Sequence, residues 1–416
     1  MLFSGKGGVG TTTVAAATAT LAAQRGSRTL VLSADPARGL AAVLDHPLAD
    51  VPVEIESGLF AQQVDVQRVF EEQWQVLRGY FGRLWEVTGT EPIDVGELMV
   101  LPGAAEVLTL LHLLDQIRSG DYEVVVVDTG PVAQLLRLLT LPETLSWYLR
   151  RMVPDDCRVS RLLRSGPRLL GRGELAGAVT EPLIEAAARL REIMNEVREV
   201  LSDPSRSSVR LVLTPESVVV GQTRAALTAL ALHGFGVDAV VANRVHTQAG
   251  ADAWRAGWVA VHREQLLEVE RSFAPIPVLR AAYRAGEPIG LEELAAFAAA
   301  AYPGLDPVGV LGTGGPAASG PAASGPADGG PGDGGPLRVE RAGDGFALSL
   351  SLPFVDRSEI NLARIGDDEL MVSVGSQRRL FTLPSALRRC DVRGAALRDD
   401  LLIVSFVPNP DLWVRV

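Results

Sequence analysis

Few backbones can carry the stretch Gly5-Lys6-Gly7-Gly8-Val9-Gly10-Thr11-Thr12-Thr13. It follows a short apolar run, Leu2-Phe3, and opens a segment from Val14 to Gln24 that reads as helix. Strand, glycine-rich turn and helix in that order aim consecutive backbone N–H groups and the positive end of a helix dipole at one point. Glycines there let a phosphate come close. The pattern for such a loop is G-x-x-x-x-G-K-[ST]. Gly5 and Gly10 fit it, and Thr12 stands where a magnesium-binding hydroxyl belongs. The lysine position holds Thr11 instead, so the cation at hand is Lys6, inside the loop.

Residues 1–45 alternate strand and helix: Leu2–Ser4, a helix from Thr12, then Thr29-Leu30-Val31-Leu32-Ser33. Continuously apolar strands at βαβ spacing predict an α/β fold with a mostly parallel sheet covered on both faces. The first strand is short; either the sheet accepts a stub or the start lies upstream, which the mass of the native protein decides. From Gly58 to Gly120 the pattern is mostly helical, with Phe70, Trp74, Leu77, Phe81 and Leu84, then Val107, Leu110, Leu111, Leu114 and Ile117, at three- and four-residue steps. Glu123 to Asp128 reads as a strand with four valines ahead of its aspartate, and Leu135 to Ser202 as helix-rich. Val209–Thr214 and Val237–Asn243 read as strands around a helix at Gly221–His233. Pro275–Tyr302 holds one more strand and a closing helix.

Composition changes at Gly312. The run 312–336 is nearly all Gly, Pro, Ala, Ser and Asp, cannot bury a core, and predicts a flexible linker between an α/β domain at 1–311, which carries the glycine-rich loop, and a domain at 337–416. Beyond it the period becomes two, at Phe346, Leu348, Leu350 and Leu352. With Leu370–Val374, Leu380–Leu383 and Leu401–Phe406, this predicts a small, separate β-sandwich.

A net charge of −11 over 416 residues argues against a nucleic-acid-coating surface. Cys157 and Cys390 are the only cysteines and suggest neither a disulfide framework nor a zinc site. The five histidines lack ligand spacing. With no run of eighteen apolar residues and no secretory pattern, the expectation is a cytoplasmic protein without an integral membrane segment.

Several segments converge on a nucleotide site. Asp35, in Ser33-Ala34-Asp35-Pro36-Ala37, and Asp128, in Asp128-Thr129-Gly130-Pro131, place carboxylates at strand carboxyl ends, where open α/β sheets bind ligands. An aspartate after four valines fits a magnesium ion, its water or a hydroxyl of a phosphate site. Asn243 can donate and accept together, which suits an adenine edge. Singly, each has a plain alternative: a strand-end aspartate is as often a cap or turn residue, and an asparagine more often a turn residue.

The loop with its lysine just after the first glycine resembles the deviant phosphate-binding loop. Together with Asp35-Pro36-Ala37, Asp128-Thr129-Gly130-Pro131, Leu141-Pro142, Pro215-Glu216 and Asn243-Arg244-Val245, it makes residues 1–305 similar to the anion-transporting ATPase family. That family includes the arsenite-pump ATPase and the ATPase that targets tail-anchored membrane proteins. The tail, with Arg378-Arg379-Leu380-Phe381-Thr382-Leu383-Pro384 and Gly394-Ala395-Ala396-Leu397-Arg398, resembles the α-crystallin-like domain of small heat-shock proteins.

The resemblance implies a set of roles. Lys6 would reach across a homodimer to the partner's nucleotide. Gly5, Gly7, Gly8, Val9, Gly10, Thr11 and Thr13 would line ATP's phosphates, and Thr12 would bind magnesium. Asp35 would polarise the attacking water, Asp128 would serve the magnesium shell, and Asn243 would read adenine. The helical segments 58–120 and 135–202 occupy the place of client-binding helices, so Phe70, Trp74 and Phe81 read either as a groove for an apolar client or as ordinary core.

Threonine at position 11 cannot replace a lysine's charge, and losing one such contact costs about 3–4 kcal/mol of transition-state stabilisation. The dimer-bridging zinc cysteines of the targeting ATPase and an arsenite-binding cysteine triad both lack counterparts. The expectation is therefore a dimeric, nucleotide-gated ATPase coupled to an apolar client. The alternatives are a non-hydrolysing nucleotide-binding scaffold and, third, a partition- or septum-positioning ATPase.

Overall fold

The computed structural model describes residues 1–34, 39–64, 103–152, 173–248, 252–309, 337–366 and 368–410. They fall into two compact units, one made of Met1, Thr11–Leu201 and Glu287–Ala299, the other of Leu2–Gly10, Ser202–Gly286 and Ala300–Val416.

In the first unit, helix α1 (Thr11–Gln24) packs on strands β2 (Thr29–Ser33) and β5 (Val124–Pro131). Its sequence is largely alanine and threonine, so it keeps high helix propensity while remaining slim enough to be buried from Val14 to Ala22. Thr18 and Thr20 hide their hydroxyls by donating to the Val14 and Ala16 carbonyls at 2.7 and 2.9 Å. Strand β2 is buried along its whole length and pairs in parallel with β5 and with β4 (Leu59–Gln63), while β3 (Val53–Glu56) pairs antiparallel with β4. Helices α2 (Gly39–Leu44), α3 (Ala104–Ser119), α4 (Val132–Met152) and α5 (Gly173–Ser202) also belong here.

The second unit carries β1 (Leu2–Gly5), β6 (Val209–Leu213), β7 (Val237–Val245) and β8 (Val278–Ala282), paired in parallel in that order. Helix α6 (Ser217–His233) follows β6, and α7 (Ala253–Phe273) follows β7. Gly234, at φ 83°, ends α6 in the left-handed conformation a C-terminal glycine supplies, its N–H reaching the Leu230 and Ala231 carbonyls. Helix α8 (Leu291–Ala301) closes the α/β part of the chain.

The carboxyl-terminal region forms two antiparallel sheets. One, in the order β14-β15-β10-β9, uses Cys390–Arg398, Leu401–Pro408, Gly345–Ser351 and Leu337–Ala342. The other, β11-β12-β13, uses Ile360–Ile365, Glu369–Val374 and Gln377–Thr382. The chain thus joins a mostly parallel α/β sheet with helices to an antiparallel β-domain.

The apolar core of this β-domain takes in a residue of α6. Leu232 of α6, fully buried, belongs to the same apolar cluster as Leu348, Leu350, Val372 and Phe406. Thr228 donates to the Pro353 carbonyl at 2.6 Å, and Arg379 Nη1 donates to the Leu232 carbonyl at 2.8 Å. Phe354 meets the ring of Phe273 at 5.6 Å and lies beneath the Arg224 guanidinium at 5.5 Å. Residues 312–336 lie outside the described residues.

Two expectations change. The segment from Gly58, read as helical, begins with strand β4, because the edge of β2 pairs with it in the register Thr29↔Leu59 and Gly58 turns the chain at φ 79°. Helix α7, with Val259, His262, Leu266, Val269 and Phe273 inward, was not foreseen; its charged outer face masks the period.

Candidate functional site

In the second unit the glycine-rich loop leaves β1 and turns back on itself, with the Val9 N–H donating to the Lys6 carbonyl at 3.3 Å. Gly8 and Gly10 have φ values of 88° and 90°, a region that side-chain-bearing residues avoid. Lys6, Gly7 and Gly8 are exposed and Val9 is buried. The loop therefore holds its apolar residue inward and its lysine outward.

Asn243, from the end of β7, sits against this loop. Its Nδ2 donates to the Val9 carbonyl at 2.8 Å and its Oδ1 accepts from the Arg244 N–H at 2.8 Å. Arg244 takes a left-handed φ of 56° to make this turn. The amide expected to read a base is thus engaged with the chain's own backbone.

A cavity of about 330 Å³ opens beside the loop, lined on one side by Lys6, Gly7, Gly8 and Val9. Its other wall is aromatic: His246, Trp254, Trp258, His262 and Tyr283, with Arg244 and Glu216 adding charge. His246 stacks on Tyr283 at 5.0 Å and 20°, and Trp254 stands edge-on to His246 at 6.1 Å. Trp254 and Tyr283 are 67% and 57% exposed, unusual for such rings. His262 is buried; its Nδ1 accepts from the His246 N–H at 3.2 Å, which leaves the proton of the neutral ring on Nε2. Burial, then the neighbouring His246, lowers its pKa. Glu216 precedes α6 without capping it through its side chain.

None of these aromatic residues was singled out from the sequence. A signal was present in Trp254, Trp258 and His262, spaced four apart on one helix face, with Asp252 capping that helix by accepting from the Arg255 N–H at 2.7 Å.

In the first unit, Thr11, Thr12 and Thr13 form the first turn of α1, with Thr11 buried and no acidic side chain in that turn. Asp128 is fully buried. Its carbonyl accepts from the Ala34 N–H at 3.1 Å and it lies in register with Ser33, so the ends of β2 and β5 are side by side. Asp35 and the residues Phe70, Trp74 and Phe81 lie outside the described residues. Among the described residues, no group of three or more His, Cys, Asp or Glu is placed to hold a metal ion, and no helix is long and apolar enough to cross a membrane.

Comparison with known proteins follows the same division. The anion-transporting ATPase profile matches residues 1–303, and that of an HSP20-like domain found in ArsA matches residues 343–406. An uncharacterized protein of Streptomyces coelicolor is 37% identical over 419 residues, covering 100% of this chain and 99% of the relative. A Chlorobaculum tepidum protein, named provisionally as an arsenical pump-driving ATPase, is 32% identical over 407 residues, covering 98% of this chain and 95% of its own. A Trypanosoma cruzi protein named as an ATPase ASNA1 homolog is 27% identical over 262 residues, covering 58% of this chain and 72% of its own.

Proposed function

The chain belongs to the anion-transporting ATPase family, and from that premise we propose that it is an ATP-binding, ATP-hydrolysing switch protein of the cytoplasm, acting as a homodimer that couples its nucleotide state to an apolar client. The observation that supports this most is the cavity shared by Lys6, Gly7, Gly8 and Val9 with an aromatic wall. Backbone donors and a lysine suit phosphates, and exposed rings suit a planar base.

The residues present fit magnesium and ATP by the chemistry of their donors. The first turn of α1 holds hydroxyls and no carboxylate to compete for its N–H groups, and Asp128 supplies the hard oxygen magnesium prefers. Bound magnesium-ATP would bring the γ-phosphoryl group and the divalent charge that offsets it. The N–H groups from Gly7 to Thr13 would hold phosphate oxygens, with Gly5 opening the turn. Thr12 and Asp128 would hold the metal, the latter through water. Asp35 would orient the attacking water, and Lys6 would bring its charge from the partner subunit. Arsenite handling is not carried over from the relative's name: Cys157 and Cys390 are the only cysteines, and Cys390 is buried with its thiol donating to the Ala386 carbonyl at 3.2 Å.

ATP turnover of the wild type beside Lys6→Ala and Thr11→Lys tests the reading. Slow turnover that Lys6→Ala abolishes and Thr11→Lys raises about a hundredfold supports it. A protein that neither binds ATP nor closes as a dimer in its presence rejects it. A second reading, a non-hydrolysing scaffold, draws on the uncharged, buried Thr11. Turnover that falls on Asp35→Asn excludes that version.

A further inference from the structure

Strand β7 ends at Val245. The Val245 carbonyl accepts from the Tyr283 N–H at 2.8 Å, which ties this end to the residue after β8. The next N–H, that of His246, has no strand to pair with and donates instead to His262 Nδ1 at 3.2 Å. His262 is 4% exposed, so the packing of α7 holds its ring in place. His246 is therefore gripped from two sides, by β8 through the peptide before it and by α7 through its own N–H.

That grip sets the rest of the cavity's aromatic wall. The His246 ring stacks on Tyr283 at 5.0 Å, lies 5.0 Å from the His262 ring and has Trp254 edge-on to it. Trp258 stands edge-on to His262 at 5.6 Å. His262 Nδ1 accepts only while it carries no proton. The neutral ring keeps its one proton on Nε2; a second proton takes the Nδ1 lone pair, turns the acceptor into a donor and leaves the His246 N–H facing another N–H. It also puts a positive charge beside the His246 ring. Burial, then the neighbouring His246, holds His262 below the ordinary histidine range. The other charged or titratable groups around the cavity are Lys6, Glu216, Arg244 and Tyr283. Of these, Glu216 pulls His262 the other way and is the smallest of its three influences.

We propose that His262 is a positioning residue for the ring wall: its unprotonated Nδ1 holds the His246 backbone where the rings can cover a bound base, so the wall is complete only while His262 is neutral. The inference deepens the nucleotide reading above and rests on it for the ligand, whereas the anchor is measured without one. Proton uptake and the His246 bond exclude each other. The wall is therefore complete above the ordinary histidine pKa of about 6.5 and is lost as pH falls through the lowered value.

The test compares the full chain as wild type, His262→Asn and His262→Leu, each checked by thermal unfolding. Asparagine sets its Oδ1 close to the place of Nδ1 and does not titrate, while leucine fills the space without an acceptor. Hydrogen exchange at the His246 amide in the unliganded protein, corrected for the intrinsic effect of pH, reads the anchor. Wild-type protection should fall by about tenfold between about pH 8 and about pH 5, the worth of one hydrogen bond. His262→Asn should stay protected throughout, and His262→Leu should be unprotected throughout. Wild-type protection that is unchanged over this range, or His262→Leu protected as well as the wild type, overturns the proposal.

Magnesium-ATP affinity, measured by calorimetry, reads the consequence. The ligand's own titration is common to all the proteins, so the ratio of variant to wild type isolates His262. At about pH 8, His262→Leu should bind about tenfold more weakly than the wild type, in line with the loss of a stacked ring, and His262→Asn should match the wild type. At about pH 5 the wild type should fall to the level of His262→Leu, with His262→Asn above both. His262→Asn losing affinity as steeply as the wild type overturns the proposal. If exchange follows the expected pattern while ATP affinity is the same in every protein, the positioning role is overturned together with the base's place on this wall, and nucleotide binding stands. A wild type that binds no ATP at about pH 8 rejects the nucleotide reading and the positioning role with it.

Discussion

Arg210 and Asp238 face each other from adjacent strands in a buried, two-pronged ion pair: Nη2 to Oδ2 at 2.6 Å and Nε to Oδ1 at 3.1 Å. Their side chains are 0% and 5% exposed. The remaining guanidinium nitrogen donates to the Tyr302 hydroxyl and the Pro307 carbonyl at 3.0 and 3.1 Å, and the Phe3 ring lies 5.4 Å from the guanidinium carbon. Ser208 donates to Asp238 at 3.0 Å. One arginine therefore joins β1, β6, β7 and the Tyr302–Pro307 segment.

Removing one member of such a pair leaves the other charge buried alone. Asp238→Ala is expected to cost about 3–5 kcal/mol, whereas Arg210→Met combined with Asp238→Leu should cost much less. Urea unfolding of the three proteins checks this. A single variant as stable as wild type would mean that water reaches the arginine.

Trp254 and Trp258 stand on the cavity wall, so nucleotide binding should change tryptophan emission. The change should vanish in Trp254→Phe/Trp258→Phe, read by titration with magnesium-ATP. Trp254→Ala should weaken ATP by roughly tenfold, in line with about 1–3 kcal/mol for stacking a base on an aromatic ring. Unaltered affinity would place the base elsewhere.

His233, at the end of α6, is held neutral: burial, and then the Arg379 charge, lower its pKa to about 4. An unfolded chain has its histidine near 6.5 and takes up the proton first as pH falls. Stability is therefore full above about 6.5 and is lost as pH falls from there towards 4, by up to about 3 kcal/mol. Thermal melts across this range should show the loss, and His233→Gln should flatten it. Arg379→Leu should raise the lower edge of the window, narrowing it without closing it, since burial remains. A flat wild-type profile would refute the assignment.

Thr12 carries the hydroxyl assigned to magnesium. Thr12→Ala should make ATP affinity insensitive to magnesium while thermal stability stays near that of the wild type, because the hydroxyl has no assigned part in packing. Calorimetry with and without the metal decides it. Retained magnesium dependence would move the metal to other oxygens.

Much of the α/β architecture was legible because buried parallel strands are apolar runs. Thr29–Ser33 matched its strand end for end, and the valines before Asp128 marked β5. The β-domain was readable from Phe346 to Leu352, where apolar residues alternate, but not at Leu337–Ala342 or Cys390–Arg398, where solvent-facing residues break the period. The loop residues were legible from glycine spacing. The aromatic wall was not, because it gathers side chains from α7 and from the residues just after β7 and β8, which no local pattern connects.

The sequence alone determined that a glycine-rich turn follows a first strand and opens a helix, since only glycines tolerate the φ values at positions 8 and 10. It also determined that an antiparallel β-domain follows, through a change of hydrophobic period from helical to two. Only the tertiary structure decided that Asn243 lies against Gly10, that Leu232 completes the β-domain's core, and that rings distant in sequence meet beside Lys6. Each of these is a contact between segments far apart in the chain. Such contacts depend on which surfaces exclude water together, and that is a property of the assembled fold.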